Sequence, residues 1–220
     1  MFSFFQPNQK TLIIIHRGHE HSERLHEIAT DAQFEGYNIF AYDLRGHGYT
    51  KEPVSPIFMD NVRDLDMFSK YLHHQYQIDE QDIFVIANSI AGVIVTSWVH
   101  DFAPAIAGMA LLAPAFEIKL YVPFANEFIG FTTKLKKDLV IQSYVRSKVL
   151  THDKAQQEAY DQDPLISKSI NGRLLVDLQS AGKRLVEDAA AINIPTLILS
   201  AEKDYVVKNS VQKKFYVDLE

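Results

Sequence analysis

Asp82-Ile-Phe-Val-Ile-Ala-Asn-Ser-Ile-Ala-Gly92 decides how this chain is read. An apolar, β-branched run stops at a serine flanked by small residues, the pattern of a strand that turns sharply into a helix and lifts a hydroxyl out of the sheet. Ser89 is therefore the candidate nucleophile. The usual G-x-S-x-G spacing reads here Ala87-Asn88-Ser89-Ile90-Ala91, with alanine at both glycine positions and Gly92 one step later. Taken alone, the stretch also fits a serine that caps the helix after an ordinary buried strand.

Upstream, Thr11-Leu-Ile-Ile-Ile15 is a strand-type run, and Leu25, Ile28, Ala29 and Ala32 mark one face of a helix over Ser22–Ala32 that ends at Gly36. Tyr37–Tyr42 reads as a strand. Asp60–Gln75 reads as a helix capped by Asp60, with Val62, Leu65, Phe68 and Leu72 on its apolar face. The elbow strand Ile83–Ala87 and its helix, about Ile90–His100, are followed by strands at Ile106–Leu112 and Ile194–Ser200; Pro195 falls at the start of the latter, where its missing N–H does least harm. Buried strands alternating with amphipathic helices predict an α/β fold with a doubly wound, mostly parallel sheet. Between about Phe116 and Leu178 the alternation breaks and no strand is evident, so residues 116–178 are expected to form a helical lid inserted into a single domain spanning 1–220. Within it, Leu120–Phe131 is dense in aromatics and suits an acyl pocket or a peripheral membrane contact, or simply packing of the lid on the core.

The 220 residues, 47% hydrophobic, are enough for one substantial core. A net charge of −6 with interspersed signs offers no basic stripe, so nucleic acid is not an expected partner. With no cysteine the chain has no disulfide, thiolate metal site or cysteine nucleophile, which suits a reducing compartment. Met1–Asn8 lacks the basic and long apolar regions of a signal peptide. The longest apolar stretch, Val85–Val99, is interrupted by Asn88, Ser89, Thr96 and Ser97 and is too short to span a bilayer. A cytoplasmic protein is expected.

Three further motifs fall at the carboxyl ends of separate strands, where open α/β sheets place their sites. They are His16-Arg-Gly-His-Glu-His-Ser-Glu-Arg24, Asp43-Leu-Arg-Gly-His-Gly48 and Ser200-Ala-Glu-Lys-Asp204. Together with the elbow they resemble the α/β-hydrolase superfamily. The first two, with Leu150-Thr-His-Asp153, Tyr160 and Asp163-Pro-Leu165, resemble its monoacylglycerol lipase, lysophospholipase and serine aminopeptidase branch. The His16–His21 run is also similar to a bacterial subgroup in which the hydrolase is fused to a methyltransferase, so a fused methyltransferase domain is a possible partner in a longer protein.

The resemblance implies Ser89 as nucleophile, Asp204 as the carboxylate that orients a catalytic histidine, and an oxyanion hole formed by the backbone of Ile90 and Gly18. The chemistry asks for the same types: a serine hydroxyl needs a base to take its proton, and the base needs an acid to hold its tautomer. Arg17 stands where relatives carry glycine, which leaves open whether its side chain narrows the mouth. His16, His19, His21 and His26 could be read as metal ligands, but no cysteine or clear carboxylate set completes them. His16, Glu20 and His21 are assigned instead to loop support, His47 to a structural role in its loop, and no metal or cofactor is expected.

The expected order is Ser, Asp, His, yet no histidine follows Asp204. The carboxyl-terminal strand and histidine loop are expected to be missing, the amino-terminal hairpin missing or reduced, and the chain a fragment or a shortened form. A serine hydrolase of esterase or lipase type, acting on a carboxylic ester, monoacylglycerol or lysolipid through an acyl-enzyme, is the leading reading, nearly inactive in this form. The alternative is a non-catalytic hydrolase-fold domain that binds a lipid or a partner. A nucleotide-cofactor domain lacks its G-x-G-x-x-G.

Overall fold

A computed structural model describes residues 2–50, 57–121, 129–130, 132–133 and 139–219. Among these residues the strands are β1 (Phe2–Phe4), β2 (Thr11–Ile15), β3 (Asn38–Ala41), β4 (Ile83–Asn88), β5 (Gly108–Leu112), β6 (Val140–Gln142), β7 (Ser169–Asn171) and β8 (Thr196–Leu199). Six form one sheet in the order β1-β3-β2-β4-β5-β8, parallel except for β1, which runs antiparallel to β3. The remaining two, β6 and β7, pair antiparallel and fall between β5 and β8 in the chain. The helices are α1 (His26–Ala29), α2 (Phe58–Tyr76), α3 (Ile90–Phe102), α4 (Ser147–Leu150), α5 (Lys154–Gln162), α6 (Gly172–Glu187) and α7 (Asn209–Val217).

One sheet face packs against α2, α3 and α6. Ile13, Ile15, Val85, Ala87 and Leu111 meet Leu65, Trp98 and Leu185 there in a continuous buried core. Trp98 is fully buried, and its indole N–H donates to Asp66 Oδ1 at 3.2 Å, so the ring is covered without stranding a donor. On the opposite face Leu12, Ile14, Ile39 and Ala41 are covered by Leu25 and Ala29. That cover does not reach the β8 side: Leu197 and Leu199 are 59% and 48% exposed, unlike the double burial usual for parallel strands.

Several elements differ from their sequence reading. The helix expected over Ser22–Ala32 is broken into a 3-10 turn, the four-residue α1 and another 3-10 turn. Thr30 Oγ1 bonds back to the carbonyls of His26 and Glu27, and Asp31 accepts from Gln33 N–H, so side chains compete with the helical ladder. α2 begins at Phe58 rather than at an Asp60 cap; Asp60 lies in its first turn and pairs with Arg63 at 2.9 Å. β1, β6 and β7 were not evident because three residues are too few to show alternation. Of the aromatic-rich stretch Leu120–Phe131, residues 122–128 and 131 lie outside the described residues.

Helix α6 crosses position 178 and buries Leu175, Leu178, Ala181 and Leu185 at helical spacing. It lies so close to the chain at Phe116 that a Cβ on Gly182 would sit 2.1 Å from the Phe116 carbonyl oxygen. Its carboxyl end is tied to that of α3: Arg184 forks onto Asp101 at 2.6 and 2.9 Å, and His100 bonds Asp101 and Asp188, each at 2.7 Å. Partial burial pulls the His100 pKa down, but the bonds to Asp188 and Asp101 outweigh it and hold the pKa above its ordinary value.

Two outcomes follow. Gly182→Ala gains roughly 1 kcal/mol of helix propensity, yet it should lower stability by about 1–3 kcal/mol because the backbone oxygen cannot move aside; an unchanged or higher urea midpoint would refute the close approach. A raised histidine pKa contributes stability that is full below the unfolded value of about 6.5 and lost as pH rises through the folded value. His100→Gln should therefore lower the thermal midpoint at pH 6 and differ less from wild type at pH 8.5, and a gap that widens with pH would exclude the clamp.

Candidate active site

The elbow is built by three neighbours. Ser89 has φ +57° and ψ −115°, a left-handed backbone that a residue with a side chain holds only where the surroundings impose it. Its N–H donates to Leu112 O at 2.9 Å, and its carbonyl accepts from Gly92 N–H at 3.0 Å and Ala115 N–H at 3.1 Å. Ala87 and Ala91 are fully buried. At Gly92 a Cβ would meet Pro114 Cβ at 2.9 Å, so the glycine that the turn requires sits at 92, one step beyond the usual position. Ser89 occupies the N-cap position of α3 but makes no capping hydrogen bond with its side chain. Its hydroxyl has no hydrogen-bond partner among the described residues.

Gly18 packs against Ile90, whose Cδ1 would lie 3.2 Å from a Cβ on that glycine. The two segments line one cavity with Ser89, and neither amide is taken up by an acceptor among the described residues. The Gly18 loop is anchored by His16, which is wholly buried: its Nδ1–H donates to Arg17 O at 2.8 Å and its Nε2 accepts Leu44 N–H at 3.0 Å, joining the loops after β2 and β3. Burial, helped by the nearby His47, pushes its pKa down to about 3, so the ring is neutral at pH 7. His47 donates to Arg45 O at 2.9 Å within its own loop. Asp43 accepts the amides of Ser22 and Tyr49 at 2.7 and 3.0 Å, closing the second loop beneath the first.

Glu20 and His21 enter an ionic network that reaches Asp163. Glu20 accepts from Arg17 at 2.6 Å and Arg24 at 3.4 Å, while Asp163 meets His21 Nε2 at 2.8 Å and Arg24 at 3.5 Å. The Arg24 guanidinium lies 5.7 Å from the Tyr160 ring centre. Arg17, paired with Glu20, lines both cavities that meet at Ser89.

Asp204 sits in the loop after β8. Its Oδ1 accepts the amides of Val206 and Val207 at 2.7 and 2.8 Å, and its Oδ2 has no donor among the described residues. The loop is stitched to the start of the insertion through Lys119 N–H to Val206 O at 2.8 Å and Lys208 N–H to Glu117 O at 3.0 Å. Tyr144, which sequence reasoning did not single out, donates to Lys119 O at 2.6 Å and lines the cavity beside Ser89. Burial pushes its pKa up to about 12. No local pattern marks this tyrosine; only the pairing of the two loops gives it a role.

Two cavities meet at Ser89. One, of about 120 Å³, is walled by aliphatic side chains including Ile90, Ile118, Ile141 and Leu175. The other, of about 360 Å³, is more polar and contains Ser89, Asn88, Ser200, Lys203 and Asp204. The structure thus brings Ser89, Asp204, Ile90 and Gly18 to one place. All nine histidines of the sequence are described, and none lines the cavity shared by Ser89 and Asp204. His19 lines the apolar cavity; it is held at φ +73°, its Nδ1 is buried without a partner, and burial followed by the influence of His47 lowers its pKa to about 4. His152 is exposed and lines neither cavity.

Residues 6–220 match the family described as serine aminopeptidase, S33. The chain is 40% identical over 214 residues to the uncharacterized protein YnbC of Escherichia coli, covering 96% of this chain and 37% of that protein. It is 25% identical over 228 residues to a probable lysophospholipase L2 of Haemophilus influenzae, covering 94% and 71%. The chain thus spans little more than a third of the Escherichia coli relative's length. Among solved structures, the Paleococcus ferrophilus monoacylglycerol lipase superposes with a TM-score of 0.89 at 19% identity, covering all of this chain and 83% of that one. The chain belongs to the serine aminopeptidase S33 family and has the α/β-hydrolase fold.

Proposed function

We propose that this chain carries the nucleophile, the acid, the oxyanion hole and the acyl site of a serine hydrolase that cleaves carboxylic esters of apolar acids. The observation that carries the reading is the position of Ser89, on a strained elbow where an aliphatic cavity meets a polar one holding Asp204. An acyl chain in the first cavity presents its carbonyl to Ser89 Oγ, and the alcohol half leaves through the second. Attack at that carbonyl places negative charge on its oxygen next to the amides of Ile90 and Gly18, donors already fixed in direction and needing no reorganisation. Asp204, with Oδ1 held by two amides, has Oδ2 left to accept an imidazole N–H. The segment 116–178 acts as the lid: Ile141 and Tyr144 wall the acyl cavity, and Asp163 fastens the lid to the Gly18 loop. The names of the Haemophilus and Paleococcus relatives, lysophospholipase and monoacylglycerol lipase, accord with esters of this kind.

The catalytic imidazole is the part that these residues do not place. No histidine among the described residues lines the cavity shared by Ser89 and Asp204, and loss of the base from a serine protease costs about a million-fold in turnover. A second reading, a hydrolase-fold domain that binds a lipid without cleaving it, is favoured by the same observation.

The two are separated by supplying the base. The 220-residue chain should hydrolyse p-nitrophenyl decanoate no faster than its Ser89→Ala variant. Added imidazole should then produce an acyl adduct on Ser89, detected by mass and absent from Ser89→Ala. No adduct with imidazole present would support the binding domain. A Ser89-dependent rate in plain buffer would mean that the chain contains its own base, and His19, rather than His152, would be the residue to substitute.

A further inference from the structure

We propose that a further cavity, walled by Asn61 and His47, is a binding site for a small uncharged polyol. The inference stands apart from the ester reading, because neither Ser89 nor Asp204 lines this cavity. It lies where the loop after β3 and the first turn of α2 meet the β6–β7 pair, and its volume is about 330 Å³. Ligand pockets run from roughly 300 to 1,000 Å³. A water molecule takes about 30 Å³ in the liquid, so the space holds roughly ten non-hydrogen atoms, the size of a polyol of four to six carbons. Gly18 and Ile90 line this cavity as well as the acyl cavity, so an occupant would touch the two segments that carry the oxyanion-hole amides.

Asn61 is the observation that asks for a ligand. It is only 4% exposed, yet its side-chain amide makes no hydrogen bond among the described residues. Unlike the sealed Nδ1 of His19, its oxygen and nitrogen keep accessible surface, and the cavity is where the residue opens. A buried amide left unmatched costs about 1–3 kcal/mol, and it is satisfied by a group that both donates and accepts. His47 adds an acceptor. Its Nδ1–H is spent on Arg45 O at 2.9 Å, so Nε2 presents a lone pair and has no partner among the described residues. Burial pushes the pKa of this ring down, outweighing the Arg45 carbonyl and Asp43, and keeps the ring neutral. Arg45 also lines the cavity, but its guanidinium is forked onto Asp64, and no carboxylate lines the wall among the described residues. An anion would therefore find no unpaired cation, and an ammonium no acid. Hydroxyl groups match both the amide and the imidazole, while Val140, Ile170 and Leu174 offer an apolar wall to the carbon skeleton.

The test is a titration of the 220-residue chain, isotopically labelled at the histidine nitrogens, with erythritol. The readout is the His47 Nε2 resonance, assigned by its loss in His47→Gln. Erythritol should shift that resonance saturably. Butan-1-ol, with the same carbons but one hydroxyl, and erythronate, with a carboxylate, should each bind at least about tenfold more weakly, the worth of one unmatched buried hydrogen bond. Asn61→Leu should weaken erythritol by about the same factor. Ser89→Ala should bind it as wild type does, because Ser89 does not line the cavity. Erythronate binding as tightly as erythritol overturns the uncharged class, and undiminished binding by Asn61→Leu overturns the role given to Asn61. Saturable shifts of other histidines with His47 unmoved, or loss of binding in Ser89→Ala, place the polyol in the site at Ser89 and overturn the separate one. No saturable shift of any resonance leaves the cavity to water and overturns the proposal. If Asn61→Leu does not fold, Asn61→Ala and the wild-type ligand comparison decide.

Discussion

Ser89 keeps its left-handed backbone because the main chain on both sides of it is fastened to the end of β5. The amide of Ser89 is spent on Leu112 O, its carbonyl receives Ala115 N–H, and Pro114 presses on α3 where only Gly92 leaves room. A backbone in this region costs of order 1–3 kcal/mol, so it persists only where neighbouring contacts over-determine it. The core around Val85, Ala87, Leu111 and Trp98 supplies that determination. Strand order matters for the same reason, since β5 must lie next to β4 for its carboxyl end to hold the turn.

The remaining groups of the site are held by loops that hold one another. His16 joins the loops after β2 and β3 through a neutral ring, and burial keeps that ring neutral, so the link does not switch near pH 7. The loop carrying Asp204 is clamped to residues 117–119, and Gln212 of α7 reaches Pro114 O at 3.0 Å, tying the acid's side of the sheet to the elbow's side. Glu20, Arg24, His21 and Asp163 then connect the Gly18 loop to the inserted segment. These charged groups are shared between partners, so removing one leaves others unmatched at low solvent exposure, where the cost is greatest.

Much of this was legible in the residues. The continuous run Thr11–Ile15, the β-branched approach to Ser89 and the helical spacing of Val62, Leu65 and Leu72 locate two parallel strands and helix α2. Where the reading missed, short-range competition or long-range pairing was responsible. Thr30 and Asp31 break a helix that Leu25, Ala29 and Ala32 would allow, and β6 and β7 exist only because Ser169–Asn171 returns to Val140–Gln142 across the insertion. The displaced elbow glycine belongs to the second kind, since nothing within residues 87–92 says that Pro114 will lie against position 92.

By itself the sequence determined the alternation of strands and helices, the serine at the end of one strand and the acid after another, because periodicity and turn chemistry act within a few residues. Only the tertiary structure decided that Ser89 stands at the meeting of an aliphatic and a polar cavity, that Asp204 shares the second, and that none of the nine histidines lines it. It also decided that Arg17 pairs with Glu20 beside the Gly18 segment. Cavities and ionic partners arise between segments far apart in the chain, and their distances depend on how every strand between them is packed.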